Sequence, residues 1–186
     1  MQEADNVLRI LKETRAALER SDSFNIRALS NQTINTASLT QDPDNIAVAV
    51  IVYSLSKIVE RMDYRQLQGW KKFYANVLVY LDKSIKDIES GDYARFRSDF
   101  KMIRGSIENL SGKLKKYIKE VFRNAEISKA SRIYEHGISM EHTASLLGIS
   151  QYELAEYAGR TGIPDVPENY TRNTKSRIKL AMEMFE

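Results

Sequence analysis

Apolar residues recur at three- and four-residue spacing along almost the whole chain, which predicts helices throughout. Residues 2–20 read as an amphipathic helix with Ala4, Leu8, Leu11 and Leu18 on one face and Arg9, Lys12, Glu13 and Glu19 mostly elsewhere. Residues 23–41 keep helical spacing through Ile26, Leu29, Thr33 and Ala37, although nine of the twelve residues from Ser30 to Gln41 are Ser, Thr, Asn or Gln. Asp42-Pro43-Asp44-Asn45 is a helix start, with Asp42 as N-cap, Pro43 in the first helical position and acid in the first turn. Nine of the ten residues from Ile46 to Leu55 are apolar. With that cap and the continuation Leu55, Ile58, Val59, the run reads as a helix buried on all sides at the centre of a bundle. It is too short, and too soon followed by Ser54, Ser56 and Lys57, to span a membrane. After a break near residues 62–66, a stripe of Trp70, Tyr74, Val77, Leu81, Ile85 and Ile88 predicts a helix over 67–89. Ser90-Gly91 ends it and Asp92 caps the next, so the two form an antiparallel hairpin.

From Tyr93 the pattern becomes a heptad. Phe96, Ile103, Leu110 and Tyr117 share one position, and Phe100, Ile107, Leu114 and Val121 share the other. This predicts one helix of about 30 residues, roughly 45 Å long at ~1.5 Å per residue, with coiled-coil packing between subunits as one use of its seam. Ser98, Gly105 and Gly112 fall at a second heptad position, where they would admit a close helix or simply be tolerated at the surface. The register fails at Asn124 and Ser128, which places a domain boundary there. No Gly or Pro occurs between Lys113 and His136, so the last bundle helix runs on directly, with Ile127, Ala130, Ile133 and Tyr134 as core candidates.

The stretch Met140–Arg160, MEHTASLLGISQYELAEYAGR, carries the most specific pattern: a helix, a three-residue turn and a second helix. Ala144 sits where the helices nearly touch. Gly148 leaves the first helix, where a positive φ is often needed. Ile149 plugs the turn, and Leu147, Leu154 and Tyr157 face inward. Ser150 and Glu153 form a capping box for the second helix. Thr143 occupies a position where an apolar residue is usual. Residues 161–170, with Pro164 and Pro167, read as a loop. Residues 171–185 read as a closing helix with Ile178, Met182 and Phe185 on one side.

Composition adds exclusions. No Cys is present, which removes disulfides, thiolate metal sites and cysteine nucleophiles. The opening residues are amphipathic and not a signal peptide, so a cytoplasmic location without glycosylation at Asn31 or Asn169 is expected. The net charge is +3, but it is unevenly spread. Residues 91–125 carry 9 basic and 4 acidic groups, or +5, whereas residues 126–162 carry 3 and 5, or −2. The motif itself is acidic, so any attraction for phosphate comes from residues 91–125 or from the tail.

Second helices of such motifs often enter the DNA major groove. Outward on this one are Gln151, Tyr152, Glu153, Glu156 and Arg160. Gln bonds bidentately to adenine and Tyr bonds phosphate or stacks, while two Glu repel the backbone. Arg172, Lys175, Arg177 and Lys179 read either as a phosphate clamp or as a solvated face. Lys113, Lys115, Lys116, Lys119 and Arg123 carry the same two readings. The hydroxyl-rich segment 30–41 reads as a closely packed helix or a solvated loop, against a hydroxyl-lined ligand site that lacks a Gly-rich loop or Lys partner. His136 and His142 are six apart across a helix break, which is not metal-ligand spacing, and His136 suits a helix C-terminus. No acidic or hydroxyl constellation suggests catalysis. No enzyme activity, cofactor or metal is expected.

The residues Ala144, Gly148, Ile149, Leu154 and Tyr157 resemble those of the helix-turn-helix superfamily of DNA-binding proteins. The whole arrangement also looks like archaeal helical proteins with a C-terminal motif of this kind. LLGISQYELAEYAGRTGIPDV is similar to small antitoxin-type proteins, and that resemblance implies a nuclease partner.

The expected protein is all-α: a helical bundle over 1–124 containing the long heptad helix, then a tri-helical helix-turn-helix domain with a closing helix over 125–186. The leading expectation is a DNA-binding regulator acting as a homodimer through the heptad helix, without membrane contact. Gln151 and Tyr152 would touch bases, and Ser150, Arg160, Arg172 and Lys175 phosphates. The alternative is a protein-interaction module whose acidic second helix meets a basic surface, such as that of a nuclease.

Overall fold

The computed structural model describes residues 1–135, 138–147 and 149–161. Among these there are eight α-helices, one short 3-10 turn and no strand. His136, Gly137, Gly148, the Pro164–Pro167 loop, the helix expected over 171–185 and its cations Arg172, Lys175, Arg177 and Lys179 lie outside the described residues.

Helix α1, Ala4–Glu19, turns at Ser21 into α2, Ser23–Thr40, whose first turn is capped by Asp22 accepting from the Asn25 amide at 3.0 Å. The hydroxyl-rich face of α2 is spent internally. The Ser30 hydroxyl donates to the Ala49 carbonyl at 2.8 Å and Thr33 to Leu29 at 3.0 Å, both buried. Small hydroxyl residues here let α2 lie close against α3, Pro43–Glu60. Asp42 caps α3 by accepting from the Asp44 amide at 2.9 Å, with Pro43 just inside. Burial on nearly every side of α3 makes it the central helix, packed against α1, α2, α6 and α7.

After the 3-10 turn Met62–Gln66, α4 covers Trp70–Glu89, starting at the first residue of the apolar stripe and three residues inside the expected range of 67–89. Gly69 explains the delay. Its φ is +91° and a Cβ there would meet Leu110 at 3.3 Å, so the chain turns sharply where the backbone packs on that leucine. Asp92 caps α5, Tyr93–Gly105, which pairs with α4 as a hairpin.

The long heptad helix is not formed. It divides into α5 and α6, Gly112–Glu135, separated by a turn through Ser106–Ser111. Ser106 caps inward, its hydroxyl donating to the Ile103 carbonyl at 2.6 Å. The amides of Ile107, Glu108 and Leu110 bond three residues back rather than four, and Gly112 takes φ +59°. Two glycines with Ser and Asn between them give a stretch of poor helix formers, and the reversal lets both halves bury their seam in one core. Phe96, Phe100, Ile103, Ile107, Leu110, Leu114 and Val121 are all buried there. The seam is therefore used within the chain, not between subunits, and Gly112 marks a turn rather than a stripe for a second helix.

Helix α6 passes position 124 without interruption and leads into α7, Met140–Leu147, and α8, Gln151–Thr161. A second apolar cluster, Ile34, Ala37, Ile46, Ala49, Ile133 and Ile138, joins α2 and α3 to the end of α6. A third, Ala130, Ala144, Ile149 and Leu154, is the core of the α6–α7–α8 unit. Leu147 packs against both.

Candidate nucleic-acid interface

The geometry of α7 and α8 follows from four side chains. Ala144 is 2% exposed and packs with Leu154 and Ile149, so a larger side chain at 144 would separate the helices. The Ile149 amide donates to the Ala144 carbonyl at 3.1 Å, closing the turn. The capping box is complete: the Glu153 amide donates to Ser150 Oγ at 3.2 Å, and the Ser150 amide donates to Glu153 Oε2 at 3.0 Å. Ala158 joins Leu154 among the buried residues, while Tyr157 is half-buried. Thr143 is fully buried and its hydroxyl has no hydrogen-bond partner among the described residues.

The opposite face of α8 is open. Gln151, Glu156 and Arg160 are exposed, and Tyr152 is 77% exposed. Glu153 does not share that face freely. It is half-buried, holds the cap and forms an ion pair with Arg123 of α6. Arg160 lies 3.7 Å from Glu156, one helical turn back. The Ser150 hydroxyl donates to Glu153 Oε2 at 2.7 Å. The cap itself uses Ser150 Oγ as an acceptor from the Glu153 amide.

Three of the basic residues of α6, Lys115, Lys119 and Arg123, are engaged in ion pairs. Lys115 and Lys119 both pair with Glu108, at 3.1 and 2.9 Å, and these two cations hold the Glu108 carboxyl below its ordinary value. Arg123 also reaches Glu126 at 3.3 Å. His142 Nε2 lies 3.0 Å from Gln41 Oε1, tying α7 to the end of α2. Among the described residues, no group of three or more His, Asp or Glu could hold a metal ion.

One residue that periodicity does not single out joins the two halves of the chain. Lys129 of α6 is only 2% exposed. Its ammonium donates to Asn31 Oδ1 of α2 at 3.0 Å and sits 4.2 Å from the Tyr53 ring centroid of α3. Burial, then Arg132 and Arg27, lowers its pKa from 10.5 to about 8. Nothing local in the sequence signals the burial of Lys129.

The fold and site together define an all-helical protein, and no described helix is long and apolar enough to cross a membrane. Compared with known proteins, the chain matches no family model, no curated relative and no solved structure.

Proposed function

We propose that the chain is a DNA-binding regulator that presents α8 to the major groove. The observation that carries this reading is the division of α8 into two faces. Leu154 and Ala158 lock one face into the protein, while Gln151 and Tyr152 project from the capped N-terminal turn. N-terminal residues of such a helix are those that reach base edges. Gln151 would bond adenine bidentately and Tyr152 would stack or bond phosphate. Arg160, Arg172 and Lys175 supply the cations for the backbone. Ser150 would join the phosphate set by turning its O–H from Glu153 Oε2, since the cap needs its Oγ only as an acceptor. A homodimer has to use a face other than the heptad seam.

Fluorescence anisotropy with a random duplex pool at several salt concentrations tests this. Binding is expected to weaken with salt, with a shallow slope because few phosphates are contacted. A protein with Gln151→Ala and Tyr152→Ala should lose sequence preference. Full retention of that preference means that α8 does not read the groove.

A second reading rests on charge. From Ile138 to Arg160 there are three Glu and one Arg, and Arg160 is partnered by Glu156. An acidic α8 would instead meet a basic protein surface, such as the substrate channel of a nuclease. Absence of DNA binding at low salt favours this reading.

A further inference from the structure

We propose that the groove between α3, α5, α6 and α7 is a binding site for a small apolar carboxylate. The cavity has a volume of about 290 Å³, near the lower end of small-molecule sites. Val50, Phe100 and Phe122 form its buried apolar wall, and Leu146 of α7 closes one side. No other element covers it among the described residues, and its apolar wall is flanked by a charged rim.

Charge selects the ligand head group. Arg97, Lys101 and Arg104 follow one another at four- and three-residue spacing on α5, which puts them on one helix face along the rim. Two carboxylates face them. Asp44 accepts two hydrogen bonds from Arg97 Nε and one from its Nη2, at 2.9 to 3.1 Å. Glu126, 4% exposed, lies 2.6 Å from Arg104 but is shared with Arg123. The lining carries three cations and two carboxylates, and those carboxylates are also shared with the Met1 ammonium, 3.6 Å from Asp44, and with Arg123, so the rim is positive overall. Lys101 is exposed and has no carboxylate partner among the described residues. An anionic head group at Lys101, helped by the free guanidinium donors of Arg104, would complete the charge balance while the apolar body displaces water from the aromatic wall. A cationic head group would add to the excess. The site stands whether or not α8 reads DNA.

Titration of the full chain with octanoate and with 3-phenylpropanoate, followed by amide NMR shifts, tests the proposal and separates aliphatic from aryl acids. Saturable binding of at least one acid is expected, with shifts at Val50, Phe100 and Leu146. Octylammonium should bind at least tenfold more weakly. Lys101→Glu should weaken the acid at least tenfold. Ala47→Trp, at an exposed lining position, should fill the groove and abolish binding with an unchanged circular dichroism spectrum. The proposal is overturned by absence of saturable binding of either acid, by equal affinity for octylammonium, or by indifference to Lys101→Glu.

Discussion

Arg123 on α6 and Glu153 on α8 form an ion pair, so the cation nearest the motif and an acid of its second helix neutralise each other. Glu153 also closes the capping box with Ser150. Glu153→Gln keeps the cap, since Gln serves equally in that role, and removes only a half-exposed ion pair. Urea denaturation should show a loss under about 1 kcal/mol. Glu153→Ala removes the ion pair and the carboxylate half of the box, leaving the residue-153 amide on Ser150 Oγ, and should cost about 0.5–1.5 kcal/mol more than Glu153→Gln. Equal losses for the two variants would mean that the Glu153 side chain adds nothing to the cap.

Ala144 lies against Leu154 in a fully packed contact. Ala144→Leu forces α7 from α8 and should destabilise the protein by about 1–3 kcal/mol. Thermal unfolding monitored by circular dichroism checks it, and a neutral result would show that the two helices do not pack through this residue.

Lys129 makes stability depend on pH. Its folded pKa, about 8, lies below the ordinary 10.5. Between these values the unfolded chain binds more protons, so this residue makes stability rise with pH from about 8 upward and leaves it flat below. The full difference corresponds to about 3 kcal/mol. Tyr74, whose phenol burial pushes up, acts oppositely above its ordinary value, so the rise is best read between pH 8 and 9.5. Lys129→Met should abolish that rise and raise stability at pH 7 by on the order of 1 kcal/mol. An unchanged pH profile would assign the slope to other groups.

Asp87 stands in the last turn of α4, where the helix dipole disfavours an acid. Burial, then the neighbouring Asp99, raises its pKa, and one carboxylate oxygen is buried without a hydrogen bond among the described residues. A raised acid pKa means that the folded state binds more protons, so this residue's stabilising share is present at low pH and is lost as pH rises through the folded value. Asp87→Asn should stabilise the protein at pH 7 by about 0.3–1 kcal/mol, with the gain fading in acid. Equal gain at pH 3 and pH 7 would remove titration as the cause.

Local chemistry alone determined most helix ends and the motif. Asp42, Asp92 and Ser150 announce caps because a short polar side chain satisfies orphan amides within three residues, and that relation needs no distant partner. The burial of α3 and the contact at Ala144 follow equally from spacing. Tertiary structure decided what spacing cannot encode. The heptad from Phe96 to Val121 specifies which side chains are buried but not whether one helix carries them, and the turn at Ser106–Ser111 buries the same residues inside the chain. The partners of charges were equally hidden. Glu108 lies within that turn, seven and eleven residues before Lys115 and Lys119, and yet collects both, and Lys129 meets Asn31 only because α2, α3 and α6 converge. Helix caps are local in the chain, whereas ion pairs and buried cations depend on which helices the fold brings together.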